Sequence, residues 1–202
     1  MEIECTMAQT TATPIGESVS FEFYFTSVLK KFFQSLGLKD STDIEKTPLR
    51  FLKALRELTD GYAHDPSTHL KVTFESNSDD LVVIRDIPFS SLCEHHLMPF
   101  WGSVDIGYIP NGRVSGLSKF PRAVQVLAHR LQIQERLTQQ IRDAVQQSLT
   151  PLVVAVVVRA THSCMRCRGI RSTGEMITSS LCGVFKEGEA ARAEFFSLLG
   201  AT

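Results

Sequence analysis

Apolar positions recur at helical spacing from Ser18 onward, at Phe21, Phe25, Val28, Leu29, Phe32 and Leu36, and Gly37 follows as a stop. This pattern predicts one amphipathic helix. A second is predicted between Thr47-Pro48, which read as N-cap and first helical residue, and Gly61, placed where a left-handed C-terminal residue would sit. Together they predict a helical hairpin over residues 17–62, preceded by a flexible tail over 1–16 that is small, polar and aperiodic. Past Tyr62 the texture turns to β: Val72 to Phe74, Leu81 to Ile87, and Trp101 to Ile109, the last alternating at Val104, Ile106 and Tyr108. The turn Pro110-Asn111-Gly112 predicts a hairpin. Ser118 is placed to cap a helix carrying Val124, Leu127 and Leu131, and a further helix carries Leu137, Ile141, Val145 and Leu149 before Pro151. A long strand from Leu152 to about Cys164 completes the order, which predicts an α+β fold with a sheet covered on one face.

Composition narrows the function. A chain of 202 residues, 43% hydrophobic and 21% charged, fits one ordinary domain with a small helical appendage. Its 21 basic and 22 acidic residues nearly cancel, so the broad positive field of a nucleic-acid binder is not expected and the partner sought is small. The apolar run Leu152 to Val158 is far short of the roughly 20 residues a membrane helix needs. No Lys or Arg precedes Lys30, so the start lacks the charge of a signal or transit peptide, and the cytoplasm is the expected compartment. Five cysteines, an odd number, favour reduced thiols or metal ligands over disulfides.

Chemistry gathers in two segments, Cys93-Glu94-His95-His96 and His162-Ser163-Cys164. Cys93 and His96, three apart in a tight turn, can aim at one ion, and zinc takes thiolate and imidazole together. Period-two alternation puts Val154, Val156, Val158, Ala160, His162 and Cys164 on one strand face, so Cys164 is available as a third ligand and His162 shares its cavity. Three protein ligands would leave a fourth tetrahedral position for water, whose pKa the ion would lower towards about 7. The alternative is a closed structural site in which Cys167 joins as fourth ligand. Strand alternation places Cys164 and Cys167 on opposite faces, an objection that a turn after the strand would remove. A redox Cys164/Cys167 pair lacks the helix-starting context of thioredoxin-like motifs. Cys5, Cys182, His64, His69 and His129 read as ordinary packed or surface residues.

At these residues the sequence resembles the GTP cyclohydrolase I family. The resemblance is carried in order by T-P-L-R-F-L-K from Thr47, S-L-C-E-H-H-L-M-P-F from Ser91, G-L-S-K-F-P-R from Gly116, Q-I-Q-E-R-L-T-Q-Q-I from Gln132, T-H-S-C-M-R-C-R-G from Thr161 and T-S-S-L-C-G-V-F from Thr178. It spans about residues 18–200. It implies a tunnelling fold over residues 63–202, an antiparallel sheet with helices on one face, and a homo-oligomer, a toroidal decamer with active sites between subunits. The implied reaction is zinc-dependent hydrolytic attack at C8 of GTP, imidazole-ring opening, loss of formate and reclosure to dihydroneopterin triphosphate. Cys93, His96 and Cys164 become the zinc ligands, and His95 and His162 the proton-transfer residues, with His162 the first choice as acid.

The resemblance assigns the triphosphate to Ser118, Lys119 and Arg122 at a helix start, joined by Arg168, with Arg50 and Lys53 reaching from another subunit. Spacing alone leaves Arg50 and Lys53 equally readable as a solvated helix face. Gln134 and Glu135 match the guanine-reading pair, and Glu94 reads as a residue that orients a neighbour. Three positions depart from the family pattern: Cys167, Pro121 and Ser103. Two rivals remain, a binding-only relative and a deazaguanine-handling reductase of the same fold, the latter without a G-x-G-x-x-G fingerprint here.

Overall fold

The computed structural model describes residues 21–38, 42–183 and 189–200, so the predicted 1–16 tail lies outside the described residues. The chain divides into two compact units, 1–55 and 56–202. In the first, α1 (Phe21–Ser35) is followed by a short α2 (Thr42–Glu45) and by α3 (Thr47–Glu57), with Phe25 stacked on Phe51 at 6.2 Å. Gly61 does not terminate α3, which stops at Glu57. It lies in a 3-10 turn (Asp60–Ala63), where a Cβ would stand 2.1 Å from the Val126 carbonyl oxygen. Glycine is therefore required there by close approach of two backbones, not by a left-handed cap.

The second unit is built on a five-stranded sheet of order β5-β2-β3-β6-β7: β2 (Val82–Cys93), β3 (Pro99–Ile109), β5 (Leu131–Gln132), β6 (Val153–His162) and β7 (Met176–Gly183). It is mixed rather than antiparallel throughout, because β5 pairs in parallel with Leu92 and Cys93 of β2. Residue Leu131, expected on a helix, is instead in β5, since α5 (Lys119–Ala128) ends three residues earlier. The Pro110-Asn111-Gly112 turn does not fold β3 back on the next strand. β4 (Arg113–Ser115) pairs with β1 (Thr73–Glu75) in a separate two-stranded sheet, and β3 keeps β2 and β6 as its partners.

One face of the large sheet packs on α5 and α6 (Gln134–Leu149), whose Leu137, Ile141, Val145 and Leu149 lie at four-residue intervals and are buried with Val104, Ile106, Val154, Val156 and Val158. A left-handed Thr150 (φ 45°) and Pro151 end α6. The opposite face is not bare, as the one-sided expectation held. There α8 (Glu189–Leu198) sets Phe195 and, just past the helix, Leu199 against Val153, Ala155 and Val157. Phe195 seats directly over Gly107, where a Cβ would meet its ring at 2.5 Å. With both faces covered, β6 is apolar at consecutive positions, Val154, Val156, Val158 and Ala160 on one face as expected and Val153, Ala155 and Val157 on the other. On that second face the buried Asp105 accepts the backbone N–H of Asp86 at 2.8 Å and pairs with Arg159. Asp86 (φ 56°) sits in the β2 bulge between Ile84 and Ile87, so Asp105 holds the bulge and ties β3 to β6. No helix among the described residues is long and apolar enough to cross a membrane.

Candidate functional site

β2 and β3 form a long hairpin whose tip is the Cys93 to Met98 turn. Cys93 donates its N–H to Met98 O at 2.9 Å, Leu97 (φ 53°) donates to Cys93 O at 2.8 Å, and Glu94 donates to Gln132 O at 3.0 Å. This turn brings the buried Cys93 and the exposed His96 together, with Cys93 Sγ 3.6 Å from His96 Nδ1. For ligands at the usual Zn–S and Zn–N lengths of about 2.3 and 2.05 Å, tetrahedral geometry demands a separation of about 3.6 Å.

Cys164 completes the group, but not by strand alternation. β6 stops at His162, and Ser163 starts a single helical turn, α7 (Ser163–Arg166), anchored by its hydroxyl donating to Pro99 O. That turn carries Cys164 to the hairpin tip, where the ligand atoms of Cys93, His96 and Cys164 lie within 4.8 Å of one another. Burial pushes the Cys164 thiol above its ordinary value, and the adjacent Cys93 pushes the same way. Two thiolates here would be uncompensated charge, which a cation would relieve. Cys167 is exposed at the end of the same turn and is not part of the group.

The first turn of α6 works on this region from behind. Gln134 is 1% exposed, and its Oε1 lies 2.8 Å from His162 Nε2. Its Nε2 shares its two hydrogens among Val158 O (3.0 Å), Met176 O (3.0 Å) and Thr178 Oγ1 (3.1 Å). Every polar atom of this side chain is thus engaged within the protein, which does not suit the guanine-reading role expected of it. Glu135 is exposed and close enough to raise the pKa of His162, against the larger lowering by burial. The His162 ring lies flat on Phe100, with centroids 4.6 Å apart and planes 5° from parallel. Arg136 donates to Gln132 Oε1 (3.0 Å), to Leu131 O (2.8 Å) and to the Glu94 carboxylate. That hydrogen bond, more than the charges of Arg136 and His95, holds the Glu94 carboxyl below the usual carboxylate range. Glu94 therefore ties the Cys93 to Met98 turn to α6, while His95 is exposed with Nε2 3.8 Å from Glu94 Oε1.

The residues expected at the triphosphate lie on other elements than this group. Ser118 precedes α5 in a helical conformation (φ −67°, ψ −9°) and makes no side-chain cap, contrary to expectation. Phe120, next to Lys119, packs on Tyr108 at 5.5 Å, whereas Phe100 pairs with His162 beside the metal group. Eight residues of strand separate Tyr108 from Phe100, about 26 Å at 3.3 Å per residue. Lys119 therefore lies towards the far end of the sheet, while the exposed Arg122 lines a cleft of about 330 Å³ with His64, His69 and His129. Arg168 is exposed just beyond α7, near the metal group in sequence, and Arg50 and Lys53 are exposed on α3 of the first unit. Sequence reasoning missed Phe100, Gln132, Arg136, Thr138 and Thr178. The signal for Gln132 and Arg136 was the polar run Gln132, Gln134, Arg136 on a segment otherwise committed to the core.

Residues 25–200 match the family model described as GTP cyclohydrolase I. The chain is 49% identical over 156 residues to the GTP cyclohydrolase 1 of Chlorobaculum tepidum, covering 76% of this chain and 70% of that protein. It is 47% identical over 176 residues to that of Dictyostelium discoideum, covering 86% and 76%. With that of Methylococcus capsulatus the identity is 45% over 182 residues, covering 86% and 98%.

Proposed function

This chain belongs to the GTP cyclohydrolase I family, and from that premise we propose that it hydrolyses GTP at C8, opens the imidazole ring, releases formate and recloses the product as 7,8-dihydroneopterin triphosphate. The observation that carries the reading is the convergence of Cys93, His96 and Cys164 near a His162 that is stacked on Phe100 and hydrogen-bonded to Gln134. Two thiols and an imidazole at these separations suit zinc, a borderline-soft ion that accepts sulfur and nitrogen in a tetrahedron. Zinc, when bound, supplies the Lewis acidity that makes water nucleophilic near neutral pH. His162 gives a proton to the purine nitrogen as the ring opens, and the exposed His95 exchanges protons with solvent and substrate. Glu135 accepts the N1 and exocyclic amino hydrogens of guanine.

Ser118, Lys119, Arg122 and Arg168 hold the triphosphate, with Arg50 and Lys53 as further cations. The site is completed between protomers of a homo-oligomer, a reading supported by Lys119, whose neighbour Phe120 packs on Tyr108 at the opposite end of β3 from Phe100. In this reading that oligomer is a toroidal decamer of the tunnelling fold, its catalytic domain 63–202 preceded by the 17–62 hairpin and the 1–16 tail, acting in the cytoplasm. The test is incubation of metal-loaded protein with GTP, followed by assay of formate and of a fluorescent pterin after oxidation. Absence of both, with metal bound and the oligomer intact, rejects the reading. Cys167→Ala keeps its metal and turnover, whereas Cys164→Ala loses both. Equal metal loss in the two variants would mean a closed structural site.

A further inference from the structure

The polar atoms around Gln134 have hydrogen-bond directions that can be worked out one by one. Backbone carbonyls only accept, so the atom of Gln134 that faces Val158 O and Met176 O must be the amide nitrogen. Turned over, the amide would set its oxygen against both carbonyls, acceptor against acceptor. The hydroxyls agree with this. Thr138 gives its one hydrogen to Gln134 O at 2.7 Å, so Thr178, 2.7 Å from Thr138 Oγ1, must donate to it. The Thr178 oxygen is then left to accept from Gln134 Nε2. What remains is Gln134 Oε1, a pure acceptor, 2.8 Å from His162 Nε2. The imidazole must therefore carry hydrogen on Nε2.

From this we infer that Gln134 is a positioning residue: it holds His162 in the Nε2–H tautomer, so that Nδ1 is the nitrogen that exchanges protons during turnover. The inference rests on the reading of His162 as the proton-transfer residue and assigns which of its two atoms acts. In the step itself, the imidazolium gives its Nδ1 proton to the substrate nitrogen and is left as neutral Nε2–H imidazole, still bonded to Gln134. Nothing else about the ring need change, because Phe100 fixes its plane and Gln134 its rotation within that plane. A histidine free to adopt either tautomer would present the wrong nitrogen for part of the time. The structural reason for burying a polar glutamine in the sheet-facing side of α6 is then its far end, where it meets His162. A side chain needed for packing alone would have been apolar.

The experiment uses the full-length, metal-loaded protein labelled with 15N-histidine, with the His162 signals assigned by difference from a His162→Gln variant. The parent is expected to show His162 protonated on Nε2. Gln134→Met, which keeps the volume of the side chain but not its acceptor, is expected to give a mixture of tautomers. Its kcat on GTP should fall about a hundredfold, at the lower end of what positioned proton transfer contributes, with KM within about threefold of the parent. A KM raised about tenfold at unchanged kcat would mean that Gln134 reads the guanine and would overturn the proposal. So would a parent spectrum with His162 protonated on Nδ1 alone, a result that needs no variant to fold. The spectrum also decides the tautomer in a protein with no turnover, so failure of the enzymatic reading and failure of this inference are separate results.

Discussion

Removing the Asp105 carboxylate should destabilise the protein by an amount the structure allows one to work out. Asp105 is 1% exposed and has two partners, the Asp86 amide in the β2 bulge and Arg159, whose side chain is 26% exposed. In Asp105→Ala the bulge amide loses its acceptor, a cost of about 1–3 kcal/mol for a buried donor. The Arg159 guanidinium loses its carboxylate, but water at its exposed part recovers some of that. The sum is about 3 kcal/mol, the lower end of the range for breaking a buried pair. Arg159→Met strands a carboxylate with one amide for company and should cost about as much. The double variant leaves only the amide unpaired, so its cost should exceed that of either single variant by no more than about 1 kcal/mol, an interaction energy of about 2 kcal/mol. Urea unfolding of the four proteins at one protein concentration measures this, the concentration being fixed because assembly shifts apparent stability. Strict additivity, or a loss below about 1 kcal/mol for Asp105→Ala, would refute the claim that this pair holds the bulge and the β3–β6 register.

Two further outcomes are expected at the metal group. Burial and Cys93 raise the Cys164 thiol above its ordinary value of 9.0, so metal binding must expel that proton at neutral pH. Apparent metal affinity, measured by chelator competition, should therefore keep rising through pH 9 and level off only above the raised value; an affinity flat from pH 7 to 9 would show that Cys164 is not a ligand. Arg136→Met should weaken metal binding by about ten- to a hundredfold while Cys93, His96 and Cys164 remain in place, since the turn loses its tie through Glu94. Unaltered affinity in that variant would mean the turn needs no support from α6.

Much of the architecture was legible because it follows from periodicity. The four-residue spacing of Leu137, Ile141, Val145 and Leu149 has one geometrical meaning, and α6 is where it was expected. The failures came where a long-range contact overrides a local signal. Pro110-Asn111-Gly112 is a good hairpin turn, but the partner of β3 on that side is β6, a strand that arrives some forty residues later. Gly61 stands where a helix cap is common, yet its reason lies in the backbone of Val126. At the site, the trio Cys93, His96 and Cys164 was readable as residue types and motif, but the alternation argument for Cys164 was geometrically wrong. The strand ends two residues early and a helical turn does the placing. Gln134 was read for its match to a motif and not for its surroundings, and burial of a polar side chain is invisible until the chain is folded.

The opening turn of α6 gives three neighbouring side chains three separate errands: Gln134 to His162, Glu135 to the open surface beside that ring, Arg136 to Glu94. Successive residues on a helix step round its axis by about 100°, so the three bearings are locked to a common phase. Each side chain can be exchanged and its effect measured alone. A single codon gained or lost between Gln132 and Gln134 cannot be so contained, because it would swing all three bearings at once and part Gln134 from His162 and Arg136 from Glu94 together.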